Sequence, residues 1–326
     1  MQRLGKVLGR LIALFVVVGT GLWAMAPQEP VDRVISFDLA EVGDDIDAYL
    51  AQREAAFPDI TPGTQKRVVW AGQPGTKTSV SVVYIHGFSA TSEEIRPVPD
   101  QVADALGANL FYTRLAGHGR GGAAMAEPQA GDWIEDMAEA LIIGRRIGNR
   151  VIVIATSTGG TLAAIAATDP QLSSNMAGVV LVSPNFGLAS PAAKILDLPF
   201  ARWWGPKVAG ESRAFTAANP QQARYWTTQY PTIALFPMAA LVKEALAQDY
   251  STTKVPALFI YSEQDQVVDP TATAVIRDAW GAAVATDIRV MGPQDDASSH
   301  VIAGDILSPG QTEEVTARIV DWARAL

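Results

Sequence analysis

The chain has 326 residues, of which 48% are hydrophobic and 18% are charged, so it is long enough for one large domain with an insertion or for two domains. Its formal net charge of −9, with no basic run beyond the first ten residues, argues against a nucleic-acid partner. The absence of cysteine excludes disulfides and thiol catalysis, and the three histidines are too far apart for a paired metal motif. We therefore expect a globular protein without a metal ion.

Residues 1–26 have the pattern of a signal anchor or a signal peptide, in which basic positions 3–10 precede an apolar run at 11–26. Small residues at 24 and 26 resemble a cleavage site, but Pro27 would follow the cut and impede it, which favours an uncleaved membrane anchor. The basic residues would keep the N-terminus cytoplasmic and place the remaining chain in the periplasm or outside the cell. A cleaved segment would instead give a secreted protein, and a core helix is the further alternative.

Beyond this segment, residues 27–65 are acidic and punctuated by prolines, which predicts a linker and covering segment with one helix at 42–57. From residue 66, short apolar runs alternate with helical patterns, and capping boxes at 91–94 and 308–311 predict two helix starts. This alternation predicts an α/β fold with a mostly parallel sheet that is covered by helices on both faces. The predicted strands are 67–71, 79–85, 109–114, 150–155, 178–183, 256–262 and 286–291.

One interval, residues 187–250, contains no convincing strand pattern but many aromatic residues. We predict that it is a helical cap inserted into a core formed by 66–186 and 251–326. Trp203, Trp204 and Phe236 are candidates for the wall of a pocket that holds an apolar acyl chain. Plain packing inside the cap is the alternative role for these aromatic residues.

The sharpest motif is a strand at 150–155 that runs directly into a helical pattern through Ser157 and two glycines. Such a turn forces the serine into a strained conformation and exposes its hydroxyl at the carboxyl end of the sheet, where a nucleophile can work. A helix N-cap serine has nearly the same local sequence and is the alternative. A hydroxyl needs a base to remove its proton, and His300 is best placed because it follows the last predicted strand.

An acid must orient this histidine, and the segment after the strand at 256–262 offers Glu263, Asp265 and Asp269. Asp269 precedes a proline and a helical pattern, so it is explained as a helix cap, and Asp265 becomes the better candidate. Glu263 is a weaker candidate, while Asp295 and Asp296 are explained as turn formers. For the developing oxyanion, the backbone N–H groups of Phe88 and Thr158 are candidate donors.

The segments YIHGF, RLAGHG, ATSTGG, YSEQDQVVDP and SSHV together resemble the α/β-hydrolase superfamily, particularly its carboxylesterase and monoacylglycerol lipase-like branch. The resemblance covers about 66–186 and 251–326 and keeps the family order of Ser, Asp and His. It implies Ser157 as nucleophile, Asp265 as acid, His300 as base, and the Phe88 and Thr158 amides as the oxyanion hole. The chain departs from the pattern at Ala155, where glycine is usual.

A second glycine-rich stretch, residues 117–122, fits the dinucleotide fingerprint GxGxxG. A proline at 128 breaks the long helix that such a site needs, and in the resembling family this stretch is a loop, so we expect no cofactor. His86 is expected to anchor the loop before Phe88 rather than to act as a base; a tight turn without chemistry is the alternative for this loop.

The expected function is a serine hydrolase that cleaves carboxylic esters of lipid-like substrates with an apolar acyl chain, through an acyl-enzyme intermediate. A serine nucleophile disfavours dehalogenase and epoxide hydrolase chemistry. A thioesterase, a serine aminopeptidase-type hydrolase and a carbon–carbon bond hydrolase stay open. A non-catalytic binding protein that keeps the fold is the alternative from a different class.

Overall fold

The computed structural model describes residues 2–25, 28–37 and 39–326. Most of the predicted anchor lies in the first helix, α1 (Gln2–Ala24). Across the ranges described, no helix combines the length and the apolar character needed to cross a membrane, so the predicted anchor is not supported. The choice between an uncleaved anchor and a cleaved signal peptide depended on residues 26 and 27, which lie outside the described residues.

Seven strands form one sheet in the order β1-β3-β2-β4-β5-β8-β9, and all neighbours are parallel except β1 and β3. This confirms the predicted mostly parallel sheet, and the seven predicted strands all occur with their ends shifted by at most three residues. The strands in chain order are β1 (Arg67–Val69), β2 (Thr78–Ile85), β3 (Asn109–Tyr112), β4 (Gly148–Thr156), β5 (Met176–Val182), β6 (Ser212–Ala214), β7 (Gln229–Pro231), β8 (Ala257–Tyr261) and β9 (Val284–Ile288).

Helices cover both faces of this sheet, as predicted. After α1 they are α2 (Leu39–Val42), α3 (Ile46–Glu54), α4 (Val98–Leu106), α5 (Ala130–Ile147), α6 (Thr158–Thr168), α7 (Ala201–Ala209), α8 (Pro220–Tyr225), α9 (Leu235–Leu246), α10 (Pro270–Ala279) and α11 (Thr312–Arg324). Short 3-10 helices lie at Gly122–Ala126, Pro191–Asp197, Thr232–Ala234, Tyr250–Thr252 and Pro309–Gln311.

The core consists of two layers separated by the sheet. Val83 and Ile85 of β2 face the layer that contains α5, α6, α9 and α10. Val82 and Tyr84 of the same strand face the layer that contains α4 and α11. Side chains alternate between the faces of a strand, so the part of a central strand that is covered on both faces is mostly apolar, as residues 82–85 of β2 and 151–155 of β4 are.

Both predicted capping boxes are wrong. Residues 92–97 form turns, and α4 begins only at Val98. The Glu94 carboxylate, which a capping box would turn back toward residue 91, instead accepts a hydrogen bond from the Gly87 N–H. At the other position, Ser308 precedes a 3-10 turn, and its hydroxyl donates to the Val301 carbonyl oxygen instead of capping the helix.

The segment ahead of β1 is fastened to the core by buried polar groups rather than lying loosely as a linker. Its helix, α3, is shorter than the predicted 42–57. Two carboxylates hold it: Glu54 accepts hydrogen bonds from Nη2 and Nε of Arg114 at 2.7 and 2.8 Å, and Glu139 accepts one from the Tyr49 hydroxyl at 2.6 Å. Just beyond the segment, the ammonium group of Lys66 contacts Glu139 and a further buried carboxylate, so the contacts continue into α5.

The interval at 187–250 contains helices α7, α8 and α9, but also the antiparallel pair β6 and β7, which the sequence did not predict. Both strands have only three residues, and all three of β6 are exposed, so neither has an apolar pattern. The last helix, α9, packs on α6 and α5 of the core layer rather than standing apart from it. The domain limits at 65, 186 and 250 stay predictions.

Candidate active site

Ser157 occupies a sharp turn between β4 and α6. Its φ of 52° and ψ of −116° lie in a region that side-chain-bearing residues rarely adopt. The backbone is held there by hydrogen bonds, because its N–H donates to Val182 O at 3.0 Å and its carbonyl oxygen accepts the N–H of Asn185 at 3.0 Å. Ser157 does occupy the N-cap position of α6, but its hydroxyl makes no capping hydrogen bond, so capping does not explain the hydroxyl.

Gly159 and Gly160, in the first turn of α6, allow this helix to pack closely against the end of β2 and against Pro184. A Cβ on Gly159 would lie 2.3 Å from Ile85 O, and one on Gly160 would lie 2.8 Å from the Pro184 Cβ. Any side chain at Gly159 would therefore collide with the end of β2. Ala155, which stands where glycine is usual, is fully buried within β4 and fits without disturbing the turn.

The structure brings Ser157, His300 and Asp265 together although the serine and the histidine are 143 residues apart. The Nε2 atom of His300 lies 3.1 Å from Ser157 Oγ, and its Nδ1 atom lies 2.8 Å from Asp265 Oδ2. All three residues are buried. Because a carboxylate only accepts, Nδ1 carries the proton and Nε2 is left to accept the serine proton.

The electrostatics of His300 favour its charged form. Burial alone would lower the pKa of the imidazole, but the hydrogen bond and the charge of Asp265 outweigh burial and raise this pKa above the usual value of 6.5. Two further carboxylates, Glu94 and Asp296, act in the same direction. A base that takes up a proton during a reaction is stabilised by such surroundings.

The other candidate acids hold turns or face solvent. Asp269 caps α10 by accepting the Thr271 N–H at 2.8 Å, as the sequence predicts. Asp296 accepts the backbone N–H of His300 at 3.0 Å and so shapes the loop that carries this histidine, while Asp295 accepts the N–H of residue 292 at 2.7 Å. Glu263 is exposed.

The loop after β2 lies directly against Ser157, because a Cβ on Gly87 would be 3.0 Å from the Ser157 Cβ. Thr158 is the first residue of α6, where an amide N–H has no acceptor within the helix. In the described part of the chain, the Phe88 N–H also has no hydrogen-bond acceptor. Among the described residues, neither of the two predicted oxyanion donors has a hydrogen-bond acceptor, and both belong to elements that meet at Ser157.

His86 is buried and forms two hydrogen bonds that keep this loop in place. Its Nδ1 atom donates to Gly87 O at 2.9 Å, and its Nε2 atom accepts the Leu115 N–H at 3.1 Å. Burial, helped by the neighbouring His118, lowers the pKa of His86 well below its usual value, so the ring is neutral. This geometry agrees with the anchoring position predicted for His86.

The sequence did not single out Glu94, a buried carboxyl that lies against Gly87 on the loop beside Ser157. Its Oε2 atom accepts the Gly87 N–H at 2.7 Å and the Tyr84 hydroxyl at 3.0 Å. Burial raises the pKa of Glu94 to about 7, against the opposing effects of the Gly87 N–H, the charge of His300 and the Tyr84 hydroxyl. The only sequence signal was its position a few residues after HGF, and there it resembled part of a capping box.

The predicted pocket residues lie in the cap. Trp203 and Phe236 line a cavity of about 180 Å³ together with residues 28–30, and neither Ser157 nor His300 lines it. The indole N–H of Trp204 donates to Pro199 O within the cap. Their role as the wall of an acyl pocket stays a prediction.

Other residues of the 187–250 interval contact the loop after β2, which contains the predicted oxyanion donor Phe88 and is called the oxyanion loop below. The ring of Tyr230 in β7 packs edge-on against the ring of Phe88, with 5.3 Å between the centroids. The Thr227 N–H donates to Ser89 O at 2.7 Å. The cap therefore contacts the site through β7 and the residues just before it, which the sequence did not indicate.

The glycine-rich stretch at 117–122 forms turns and leads into the 3-10 helix Gly122–Ala126, not into a long helix. Within it, His118 is buried against the rings of Phe88 and Trp133, and burial lowers its pKa to about 4. Among the described residues, no group of acidic and histidine side chains could hold a metal ion.

Comparison with known proteins gives a family match, a curated relative and solved structures with the same fold. Residues 76–290 match the model of the family Hydrolase_4, described as serine aminopeptidase, S33. A curated relative, the thermostable monoacylglycerol lipase of Bacillus sp. (strain H-257), is 26% identical over 194 residues, which are 59% of this chain and 72% of that protein.

Solved structures share the fold. One described for LipS and LipT, two metagenome-derived lipolytic enzymes, has a TM-score of 0.63 and 21% identity, and the match covers 82% of this chain and 100% of that one. The monoacylglycerol lipase of Paleococcus ferrophilus has a TM-score of 0.57 and 15% identity, with 80% and 98% covered.

Proposed function

Because the chain belongs to the Hydrolase_4 (serine aminopeptidase, S33) family, in the monoacylglycerol lipase-like branch of the α/β-hydrolase superfamily, we propose that it is a serine hydrolase of carboxylic esters. The observation that carries this proposal is the continuous hydrogen-bonded path from the Ser157 hydroxyl through His300 to Asp265. A path of this kind activates a serine for attack on a carbonyl carbon.

The first half-reaction transfers the acyl group to the enzyme. Ser157 Oγ attacks the ester carbonyl carbon while His300 Nε2 takes the hydroxyl proton. The carbonyl oxygen becomes an oxyanion that accepts hydrogen bonds from the Phe88 and Thr158 N–H groups, each worth about 3 to 4 kcal/mol in comparable sites. When the tetrahedral intermediate collapses, the ester bond breaks and the imidazolium returns the proton to the leaving alcohol.

The second half-reaction frees the enzyme. Water attacks the acyl-serine ester as His300 Nε2 accepts one of its protons, and the second tetrahedral intermediate is held by the same two N–H groups. Collapse releases the carboxylic acid and restores the hydroxyl of Ser157. The carboxylate of Asp265 stays ionised throughout and stabilises the imidazolium that forms in each half-reaction.

We propose a lipid-like ester with an apolar acyl chain as the substrate class. The Bacillus relative is named a monoacylglycerol lipase, and the cap of this chain is rich in aromatic residues. The family description makes an aminopeptidase the second candidate, and a thioesterase uses the same acyl-enzyme chemistry. A location of the catalytic domain outside the cytoplasm is a proposal that rests on the charge pattern of residues 1–26.

Covalent labelling with a fluorophosphonate tests the nucleophile. The wild-type protein should be labelled, Ser157→Ala should not, and Ser183→Ala should be labelled like the wild type. Ser183 is a matched control because it also follows a strand with a positive φ, of 42°, and its buried hydroxyl has no partner among the described residues. Absence of labelling in the wild type would favour a non-catalytic binding protein.

A substrate panel tests the reaction class. We expect hydrolysis of p-nitrophenyl esters with kcat/KM that rises with acyl length, and slower cleavage of thioesters and aminoacyl p-nitroanilides. A preference for short acyl groups would contradict the apolar acyl pocket. Cleavage of the anilides alone would favour the aminopeptidase.

A further inference from the structure

The direction of the Phe88 N–H depends on the peptide group that joins it to Gly87. In a trans peptide the N–H and C=O point in opposite directions, so holding the Gly87 carbonyl oxygen also aims the Phe88 N–H. That oxygen accepts His86 Nδ1–H at 2.9 Å and the Ala90 N–H at 3.3 Å. The preceding peptide group is held through its Gly87 N–H, which donates to the Glu94 carboxylate at 2.7 Å.

Glu94 also links this loop to the turn that carries the nucleophile. The oxygen that accepts the Gly87 N–H also accepts the Tyr84 hydroxyl, and this hydroxyl lies 3.2 Å from Thr156 Oγ1, one residue before Ser157. The second carboxyl oxygen, Oε1, lies so close to Gly87 that an added Cβ would be 2.7 Å away. One buried carboxyl therefore contacts the oxyanion loop and, through Tyr84, the end of β4.

We propose that Glu94 is a positioning residue that keeps the Phe88 N–H aimed at the oxyanion which forms beside Ser157. The inference rests on the proposed function, because an oxyanion forms only if Ser157 attacks a carbonyl. The role belongs to the hydrogen-bond acceptor and not to the charge, since the two contacts of Oε2 are with donors. Burial supports this, because it raises the pKa of the Glu94 carboxyl to about 7 and so disfavours the ionised form.

Two substitutions separate positioning from mere packing. Glu94→Met keeps most of the side-chain volume but leaves the Gly87 N–H without an acceptor. We expect its kcat to fall about 100-fold because a displacement of an oxyanion donor by about 1 Å costs that much. Its KM should stay within about threefold, because the donor acts on the transition state rather than on bound substrate. Glu94→Gln keeps an acceptor oxygen and should restore kcat to within about threefold of the wild type.

Asn109→Ala is the matched control for loss of a buried anchoring group. Asn109 is buried at the start of β3, where its Oδ1 accepts the Ala71 N–H at 2.9 Å and its Nδ2 donates to the carbonyl oxygens of Thr76 and Ile147. Asn109 lies at the amino end of the parallel strands, whereas Ser157 follows the carboxyl end of β4. Loss of the Asn109 side chain should therefore lower thermal stability and leave kcat unchanged. Kinetics are measured on p-nitrophenyl esters below the onset of unfolding, with active sites counted by fluorophosphonate.

The results divide cleanly. A low kcat with constant KM in Glu94→Met and recovery in Glu94→Gln support the proposal. A wild-type kcat in Glu94→Met, a change in KM alone, or a Glu94→Gln enzyme as slow as Glu94→Met would overturn it while leaving the proposed function intact. An inactive, unlabelled wild type would overturn the proposed function and the role of Glu94 with it. If Glu94→Met does not fold, Glu94→Ala takes its place in the same comparison.

Discussion

Asparagine at position 265 should invert the hydrogen bonding of His300, the proposed base. The Oδ1 atom of Asp265 accepts the N–H groups of Val267 and Val268 at 2.8 and 3.0 Å, so an asparagine must keep its carbonyl oxygen there. Its NH₂ group then takes the place of Oδ2, 2.8 Å from His300 Nδ1. Because two donors cannot face each other, Nδ1 loses its proton, Nε2 gains one, and Ser157 loses its base.

The expected loss in Asp265→Asn is about 10⁴-fold in kcat, or about 5 kcal/mol of transition-state stabilisation, because wrong-tautomer substitutions at this position of a triad cost that much. A second effect concerns the pKa of His300. Burial lowers this pKa and the carboxylate raises it, so removing the carboxylate leaves burial dominant. The acidic limb of the pH profile should therefore move to lower pH as kcat falls.

Steady-state hydrolysis of a p-nitrophenyl ester between pH 4 and pH 9, together with the rate of fluorophosphonate labelling, measures both effects. Glu263→Gln is the control, because this acid is two residues upstream, exposed and outside the hydrogen-bonded path. An Asp265→Asn enzyme within about tenfold of the wild type would contradict the tautomer argument. Loss of activity in Glu263→Gln would instead identify that carboxylate as the acid.

Three further outcomes follow from single contacts. In the wild type, kcat/KM should fall as the pH drops through a value above 6.5, because the base must be neutral and its surroundings raise the pKa of His300. Gly159→Ala should abolish fluorophosphonate labelling, since its Cβ would lie 2.3 Å from a backbone oxygen of β2, whereas Gly121→Ala, with open space around it, should be labelled normally. Lys66→Met should lower the free energy of unfolding in urea by about 3 to 5 kcal/mol, because it leaves the buried carboxylates of Asp136 and Glu139 without their cation. An unchanged unfolding midpoint would show that these two carboxyl groups are already neutral.

The sheet and the meeting of Ser157, Asp265 and His300 could be predicted because their signals are local or ordered along the chain. The strands are continuous apolar runs because both faces of β2 and β4 are covered. Ser157 is marked by the small residues that its turn demands, and Asp265 and His300 each follow a strand whose carboxyl end reaches the same edge of the sheet. None of these inferences required knowing which side chains touch across the fold.

The features that escaped prediction depend on contacts between distant residues. Glu94 resembled a helix-capping acid because its own neighbours in sequence are polar, and only the approach of the Gly87 N–H and the Tyr84 hydroxyl reveals its position. β6 and β7 have only three residues each, too few to show periodicity, and their pairing joins segments that are separated in the chain by α8. Trp203 lies beside residues 28–30, a proximity that no local pattern encodes.

Three serines around the proposed active site have strained backbone conformations. Non-glycine residues with positive φ include Ser89 beside the oxyanion donor, Ser157 itself, and Ser299 just before His300, with φ of 63°, 52° and 55°. Such conformations cost about 1 to 3 kcal/mol each and persist only where surrounding contacts impose them.

Ser157→Gly and Ser157→Ala both remove the nucleophile, but only glycine relieves the strain of its Cβ. Glycine also carries an entropic cost of about 0.5 to 1 kcal/mol. We therefore expect Ser157→Gly to be more stable than Ser157→Ala by about 1 kcal/mol in urea unfolding. If the glycine variant were the less stable of the two, the turn would hold no strain. The positive φ of Ser157 would then not lower the stability of the protein, and the exposure of the hydroxyl would carry no energetic cost.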